Sequence, residues 1–503
     1  MAKYRTTDVA SGQGLFLSVN LKEQLLPDSF EYMLNEIIGT KIELSIFDKK
    51  YKNDETGASA VPPSVLLKLI FYGYHNGCIS SRKIYELNRH NIIAKALTGD
   101  MEIHWTTIAD FVSGNKKEVE GAFTQVLMYC NELGLIGGED YALDGLRLPS
   151  NASKEMSGTE EQLKKRLAMY EKMAGKHVER HARKDAQGAV EEETKRHYEK
   201  RQRRLKNQIE KISGFLEKME KKEGREGKEI QSNVTDNESA MIHSGKGFIQ
   251  GYIGIVVSDQ KSQVITSAQA YGNANETEYL PEMLDKNAEN VERAGVKVEE
   301  GKEIRIRGDA NYFSEENLQA CADRGVQAVI ADSQAKRRLG PDGKNRYEVE
   351  DFKYNEGLDT YECPQGKNLE YKRKTEQNGI QGKVYQGSLT DCKQCQDFSK
   401  CSWSKKEQSE QVQGKALRIV EGKEQGSLCR QMRKKLETVE YQDLYADRIQ
   451  IVEPVFANIR YCKGLNRFTL RGKEKVNSQW LLYCMVHNLD KCLNGRNTMK
   501  KSA

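Results

Sequence analysis

Three kinds of hydrophobic spacing follow one another along the chain. Up to about residue 135, apolar positions recur at three- and four-residue steps, in PPSVLLKLIFYGYHNG, SSRKIYELNRHNIIAKALTG and TTIADFVSGNKKEVEGAFTQVLMYCNELGL. That is the helical period. Prolines suit a first turn, Gly77 marks the end of the first segment, and a serine cap and glycine stop bracket the second. Short helices on short turns predict a helix-turn-helix type of domain over residues 1–135, with the helix beginning near Thr106 or Thr107 as the recognition helix. A helical bundle that only packs on the rest is the other reading.

The second pattern spans 155–232, where about half of the residues are charged. Leu163, Leu167 and Tyr170 begin one thin apolar stripe, and Leu205, Ile209, Ile212, Leu216 and Met219 form another. A break at DAQGAV near Asp185 lets two long helices fold back as a hairpin. Such an insertion could clamp DNA, join two subunits or simply coil on itself.

The third pattern surrounds this insertion. YALDGLRL reads as a strand, GFIQGYIGIVVSD and VITSAQAY as a hairpin, LPEMLDKNAENVERAG and SEENLQACADRG as helices, and EIRIRGD and VQAVIAD as strands. Strands followed by alternating strands and helices predict an α/β domain with a mixed sheet and helices on its faces. Acids at strand ends in such a sheet converge on one edge.

Composition narrows the class. In 503 residues, 30% are charged and 37% hydrophobic, with no run near the roughly 20 apolar residues of a membrane span and no apolar core in MAKYRTTDVASG, so a cytoplasmic protein is expected. Length predicts three or four domains. The net charge of +5 is uninformative alone, but from Gln411 onward there are 18 Lys and Arg against 9 Asp and Glu. A basic surface of that kind suits a phosphate backbone, or is merely solvated. Of eleven cysteines, Cys363, Cys392, Cys395 and Cys401 cluster at spacings that suit tetrahedral Zn²⁺, in a segment (341–410) poor in apolar residues. The other seven read as packed thiols.

Three acids stand in apolar surroundings: Asp144 in YALDGLRL, Asp309 after EIRIRG and Glu453 in IQIVEPVFANIR. Each is costly to bury unless its charge is compensated, and a shared divalent cation would do that. The stretches ALDGLRLPSNASKE, IRGDANYFSEENL and IVEPVFANIRYCKGLNRFTLRG with LLYCMVHNL resemble the DDE transposases of bacterial insertion sequences, and SRKIYELNRHNIIAKALTG with TTIADF resembles their N-terminal domain. CPxGK…CxxC…C insertions are also similar to those of this group.

The resemblance implies an RNase H-like, retroviral-integrase-like catalytic core at 136–340 and 411–503, interrupted by the helical hairpin and the zinc-binding insertion. It implies a DNA transposase in which Asp144, Asp309 and Glu453 hold two Mg²⁺ (or Mn²⁺) ions, cutting terminal inverted repeats and joining them to target DNA, in a homodimer. A DNA-binding relative without activity, and a nuclease without strand transfer, are the alternatives. Tyr445, Arg448, Glu453 and Arg460 look like the family's Tyr, Arg, Glu, Lys/Arg series. The Arg448 to Glu453 gap is one residue longer than usual, Arg460 stands where Lys is commoner, and Leu146 replaces a frequent threonine. Pro454 is expected in a first turn, with Glu453 near the helix start and Arg460 two turns on the same face. Arg460, Arg448, Tyr445, Lys463, Arg467, Arg471, Thr106 and Thr107 are the expected DNA contacts.

Overall fold

The computed structural model describes residues 20–48, 59–186, 192–224, 227–245, 247–299, 301–332, 347–377, 380–401, 408, 412–420 and 428–502. The chain start and most of the turn expected at DAQGAV lie outside them.

The first pattern yields α1 (Phe30–Ile37), α2 (Pro63–His75), α3 (Ser81–His90), α4 (Ile92–Thr98), α5 (Trp105–Gly114) and α6 (Lys116–Glu132). Ser80 Oγ caps α3 by accepting from Lys83 N, and Gly99 ends α4 in the left-handed region at φ 65°. Two segments expected as single helices divide at asparagines. Asn91 Oδ1 accepts from Ile93 N and Ala94 N, which starts a new helix, and Asn115 Nδ2 donates to Phe111 O at the end of α5.

Next come β1 (Asp140–Pro149), the hairpin helices α7 (Glu160–Ala186) and α8 (Glu192–Leu216), β2 (Ala240–Ser244), β3 (Gly247–Asp259), β4 (Ile265–Tyr271), α9 (Leu280–Arg293), β5 (Ile304–Gly308), α10 (Glu315–Asp323) and β6 (Val326–Ile330). The expected seam holds α7 to α8 through Leu163, Ile212, Leu167, Tyr170, Leu216 and Met219. Across the main sheet the order is β4-β3-β1-β5-β6, with β2 beside the first half of β3. β4, β3 and β1 are antiparallel neighbours, while β1, β5 and β6 are parallel. Alternation along β1 sends Tyr141 and Leu143 to the α9 side, with Leu280 and Met283.

A separate antiparallel sheet follows: β7 (Lys353–Asn355), β8 (Thr360–Glu362), β9 (Asn368–Gln377), β10 (Ile380–Gly387) and β11 (Ala416–Val420), in the order β11-β10-β9-β8-β7. It has a small core of Phe352, Tyr361, Leu369, Tyr385, Leu417 and Ile419. Because β11 pairs with β10, this unit runs past the boundary expected at residue 410.

The chain closes with α11 (Leu428–Leu436), α12 (Val439–Ala457), a π-helical turn (Asn458–Cys462) and α13 (Lys473–Ser502). Ile451 and Val452 of α12 pack on Ala142 of β1. Leu146 and Leu148 of β1 share a core with α13 and the N-terminal helices, so the expected helical domain does not stand apart from the sheet. Helix α13 also covers the outer edge of the sheet. Asn488 accepts from Ile265 N and donates to Ile265 O, and Asn477 does the same at Ala270. Two side chains thus take the place of a neighbouring strand.

Pro454 lies inside α12 rather than in a first turn. Proline has no N–H to give to the carbonyl four residues back. That carbonyl, of Gln450, accepts instead from Gln263 Nε2 at 2.8 Å, from the β3–β4 turn. Gln263 is held in turn by Lys491 Nζ and by a bond between its own carbonyl and His487 Nε2.

Burial lowers the His487 imidazole to about 4. An unfolded histidine near 6.5 takes up a proton first, so the native state binds fewer protons between these values and stability falls as pH drops through that window. We expect a loss of up to about 3 kcal/mol between pH 7 and pH 4 from this residue. Urea midpoints against pH should show His487→Gln flattening that limb.

Candidate active site

Asp144 and Asp309 come from adjacent parallel strands. Leu143 of β1 pairs with Gly308, the last residue of β5, so an aspartate follows on each side: Asp144 within β1, not at a strand end as expected, and Asp309 just beyond β5. Asp144 Oδ1 accepts from Gly145 N and Asp309 Oδ1 from Ala310 N, both at 2.7 Å. Burial raises the Asp144 carboxyl above the ordinary range; Asp309 adds to the rise, and the Gly145 N–H and Arg448 oppose it.

Helix α12 covers the pair. Arg448 Nη1 donates to Asp144 Oδ2 at 2.8 Å, and the Arg448 guanidinium lies 6.0 Å from the Tyr445 ring centroid. Its placement is fixed from β5, where the buried Arg307 donates Nε to Leu444 O and pairs with Asp140 at 3.0 Å. Tyr445, Arg448, Asp144 and Asp309 therefore meet.

Glu453 lies on the same helix, five residues beyond Arg448. It is exposed and forms no hydrogen bond or ion pair among the described residues. Among the described residues, no three His, Cys, Asp or Glu side chains are grouped so that they could hold a metal ion, neither the three expected acids nor the four clustered cysteines. The expected common face of Glu453 and Arg460 is altered, because Arg460 falls in the π-helical turn, where Lys463 N reaches back to Asn458 O and the pitch widens. Arg460 is half-buried, 5.9 Å from the Tyr461 ring centroid.

A fourth acid, in GNANETEYL, was not expected here. Glu276 is buried beneath Gly145; Oε1 accepts from Arg147 Nη2 at 2.9 Å and Asn311 Nδ2 at 3.1 Å. Asn311 Nδ2 also donates to Asp309 Oδ2 at 3.1 Å. Burial raises the Glu276 carboxyl and Asp144 adds to this, with Arg147 opposing. The Tyr312 hydroxyl, fully buried, is pushed well up by burial and then by Glu276, Asp144 and Asp309. A glutamate in an Asn-rich turn carries no periodic signal, so the sequence offered no means of finding it.

The other expected contacts scatter. Thr106 and Thr107 lie half-buried in the first turn of α5, which starts one residue before Thr106, at Trp105. Lys463 is withdrawn from any phosphate: its buried ammonium pairs with Asp490 at 2.5 Å and meets His75. Arg467 and Arg471 are exposed and bond to residues 150–151.

In the smaller sheet, Cys363, Cys392, Cys395 and Cys401 line one cavity of about 330 Å³. Backbone N–H groups of Lys367 and Lys415 point at the Cys363 and Cys392 sulfurs, both at 3.3 Å. Burial pushes the Cys401 thiol up to about 11, the other three sulfurs adding to the rise. Of the seven thiols expected to pack, Cys462 is exposed.

Arg448→Met would leave Asp144 without its cation, and we expect a loss of about 1–3 kcal/mol at neutral pH. In a double-mutant cycle by chemical denaturation, adding Asp144→Asn should recover most of that loss.

Among known families, residues 362–493 match one described as a transposase DDE domain. Residues 19–114 match a transposase domain, DUF772. No curated protein matches the chain.

Proposed function

We propose that the chain is a DDE transposase of an insertion sequence, which binds the terminal inverted repeats of such an element and catalyses metal-dependent strand cleavage and strand transfer, a reading supported by its two transposase-domain matches. The observation that carries the chemistry is the convergence of Asp144, in the middle of β1, and Asp309, just past the end of the parallel strand β5, under Tyr445 and Arg448. We read the core as RNase H-like, supported by the order β4-β3-β1-β5-β6 with three antiparallel and then parallel neighbours.

Two adjacent carboxylates are hard oxygen donors that fit Mg²⁺ or Mn²⁺. Asp144 and Asp309 would hold two such ions, with Glu453 as the third carboxylate. When bound, the pair activates the attacking oxygen and stabilises the leaving oxygen at phosphorus. Glu453 lies about 7–8 Å along the helix axis from Arg448, at 1.5 Å per residue, so its approach calls for the helix or its side chain to turn inward when DNA and metal arrive.

The residues of the chain do the remaining work. Arg448, now tied to Asp144, is free to turn to a backbone phosphate once a cation replaces it, and its fork of donors suits two phosphate oxygens. Tyr445 positions the guanidinium through its ring face. An attacking water or 3′-hydroxyl oxygen forms its bond to phosphorus as the bond to the opposite, in-line oxygen breaks, and that oxygen leaves with the strand end. Arg460, Arg467 and Arg471 extend the basic surface toward the flanking backbone, and α5 is the helix offered to the repeat. DNA binding without activity is the second reading, favoured by the exposure of Glu453 and by the lack of a metal-holding trio among the described residues.

Asp144→Asn should abolish Mg²⁺-dependent cleavage of DNA carrying the element's ends while leaving binding largely intact, as a gel-shift and nicking assay on one preparation would show. Cleavage by that variant at the wild-type rate would overturn the assignment.

We also propose that the four thiols around the cavity in the smaller sheet, with backbone N–H groups aimed at two of the sulfurs, draw together on a structural Zn²⁺. Metal analysis should find about one zinc per chain in wild type and far less in Cys392→Ser.

A further inference from the structure

Glu276 has no part in the reaction as proposed, yet its surroundings are unusual for a structural acid. It is 5% exposed, and while Oε1 takes both donors, from Arg147 and Asn311, Oε2 has no hydrogen-bond partner. Arg–carboxylate pairs are frequently bidentate, yet here only Oε1 meets the Arg147 fork. A buried anionic oxygen left bare is costly, so something absent from the protein itself is expected to meet it.

One close approach says where that oxygen lies, and two further observations tie Glu276 to the aspartates. A Cβ on Gly145 would collide with Oε2, so the space it fills exists only because the residue after Asp144 is glycine. Asn311 Nδ2 binds Glu276 Oε1 and Asp309 Oδ2 at 3.1 Å each, so one amide nitrogen links the two carboxylates. Tyr312 supplies a second bare group: its hydroxyl is fully buried, has no partner, and feels the charges of Glu276, Asp144 and Asp309. The loop is braced as well, since Thr277 Oγ1 donates to Asn311 O and Asn317 Nδ2 to Thr277 O.

We propose that Glu276 is a further carboxylate ligand of the divalent-cation site formed by Asp144 and Asp309, entering from the α9 side of the sheet while α12, with Glu453, approaches from the other. Arg147 and Asn311 hold Oε1, which leaves Oε2 alone for the cation, and Gly145 provides the room. The assignment rests on the reading of Asp144 and Asp309 as metal ligands.

Binding of Mn²⁺ to full-length wild type, Asp144→Asn and Glu276→Gln, followed by calorimetry and electron paramagnetic resonance, separates the two claims. Both variants should bind Mn²⁺ roughly tenfold or more weakly than wild type. Equal binding by wild type and Asp144→Asn would overturn the metal site itself. Loss in Asp144→Asn with wild-type affinity in Glu276→Gln would overturn only the role of Glu276. A readout free of any folding defect uses wild type alone: Fe²⁺ with ascorbate and peroxide should cut the backbone beside residues 144, 309 and 276. Cuts beside the first two without the third would sink the proposal.

Discussion

The paired hydrogen bonds from Asn477 and Asn488 to the outer strand of the sheet are the constraint on which the arrangement rests. An edge strand left bare would expose unsatisfied donors and acceptors. By satisfying both groups of Ile265 and of Ala270, α13 becomes part of the sheet, and its remaining faces pack on the N-terminal helices. Trp480 occupies the space left by Gly254, where a Cβ would meet the indole at 2.8 Å. One helix thus fixes the sheet, the helical segment and, through Gln263, the depth at which α12 crosses β1.

That crossing decides the electrostatics of the site. Asp144 is largely buried beside Asp309, an arrangement that raises its carboxyl, and Arg448 compensates because α12 is held in register by Arg307 and Gln263. The proline that frees the Gln450 carbonyl is the same feature that lets the turn of the sheet grip the helix. The site in this state is closed by its own arginine, and a cation would have to take the place of that arginine.

Much of the scaffold was legible. Caps at Ser80 and Gly99, the hairpin seam and the alternation in β1 are local signals, and they produced the elements they predict. Asparagine splits at 91 and 115 were missed because side-chain capping competes with helical continuation and the apolar period does not register it. Pro454 misled for a related reason: a proline in mid-helix needs a partner for the freed carbonyl, and that partner comes from a residue nearly two hundred positions away. Lys463 looked like a phosphate contact in a basic stretch, but its charge is used up by Asp490 and His75.

The sequence by itself determined the element types, the order of strands and helices, and the aspartate that follows β5, since period, caps and strand boundaries are written within a few neighbouring residues; Asp144, expected at a strand end, lies in mid-strand because β1 runs on to Pro149. Only the tertiary structure decided which side chains share the site: that Arg448 meets Asp144, that Glu276 lies beneath Gly145, and that Glu453 stays exposed. The reason is that a buried charge is placed by its distant compensating partners, and those are brought together by packing, not by spacing along the chain.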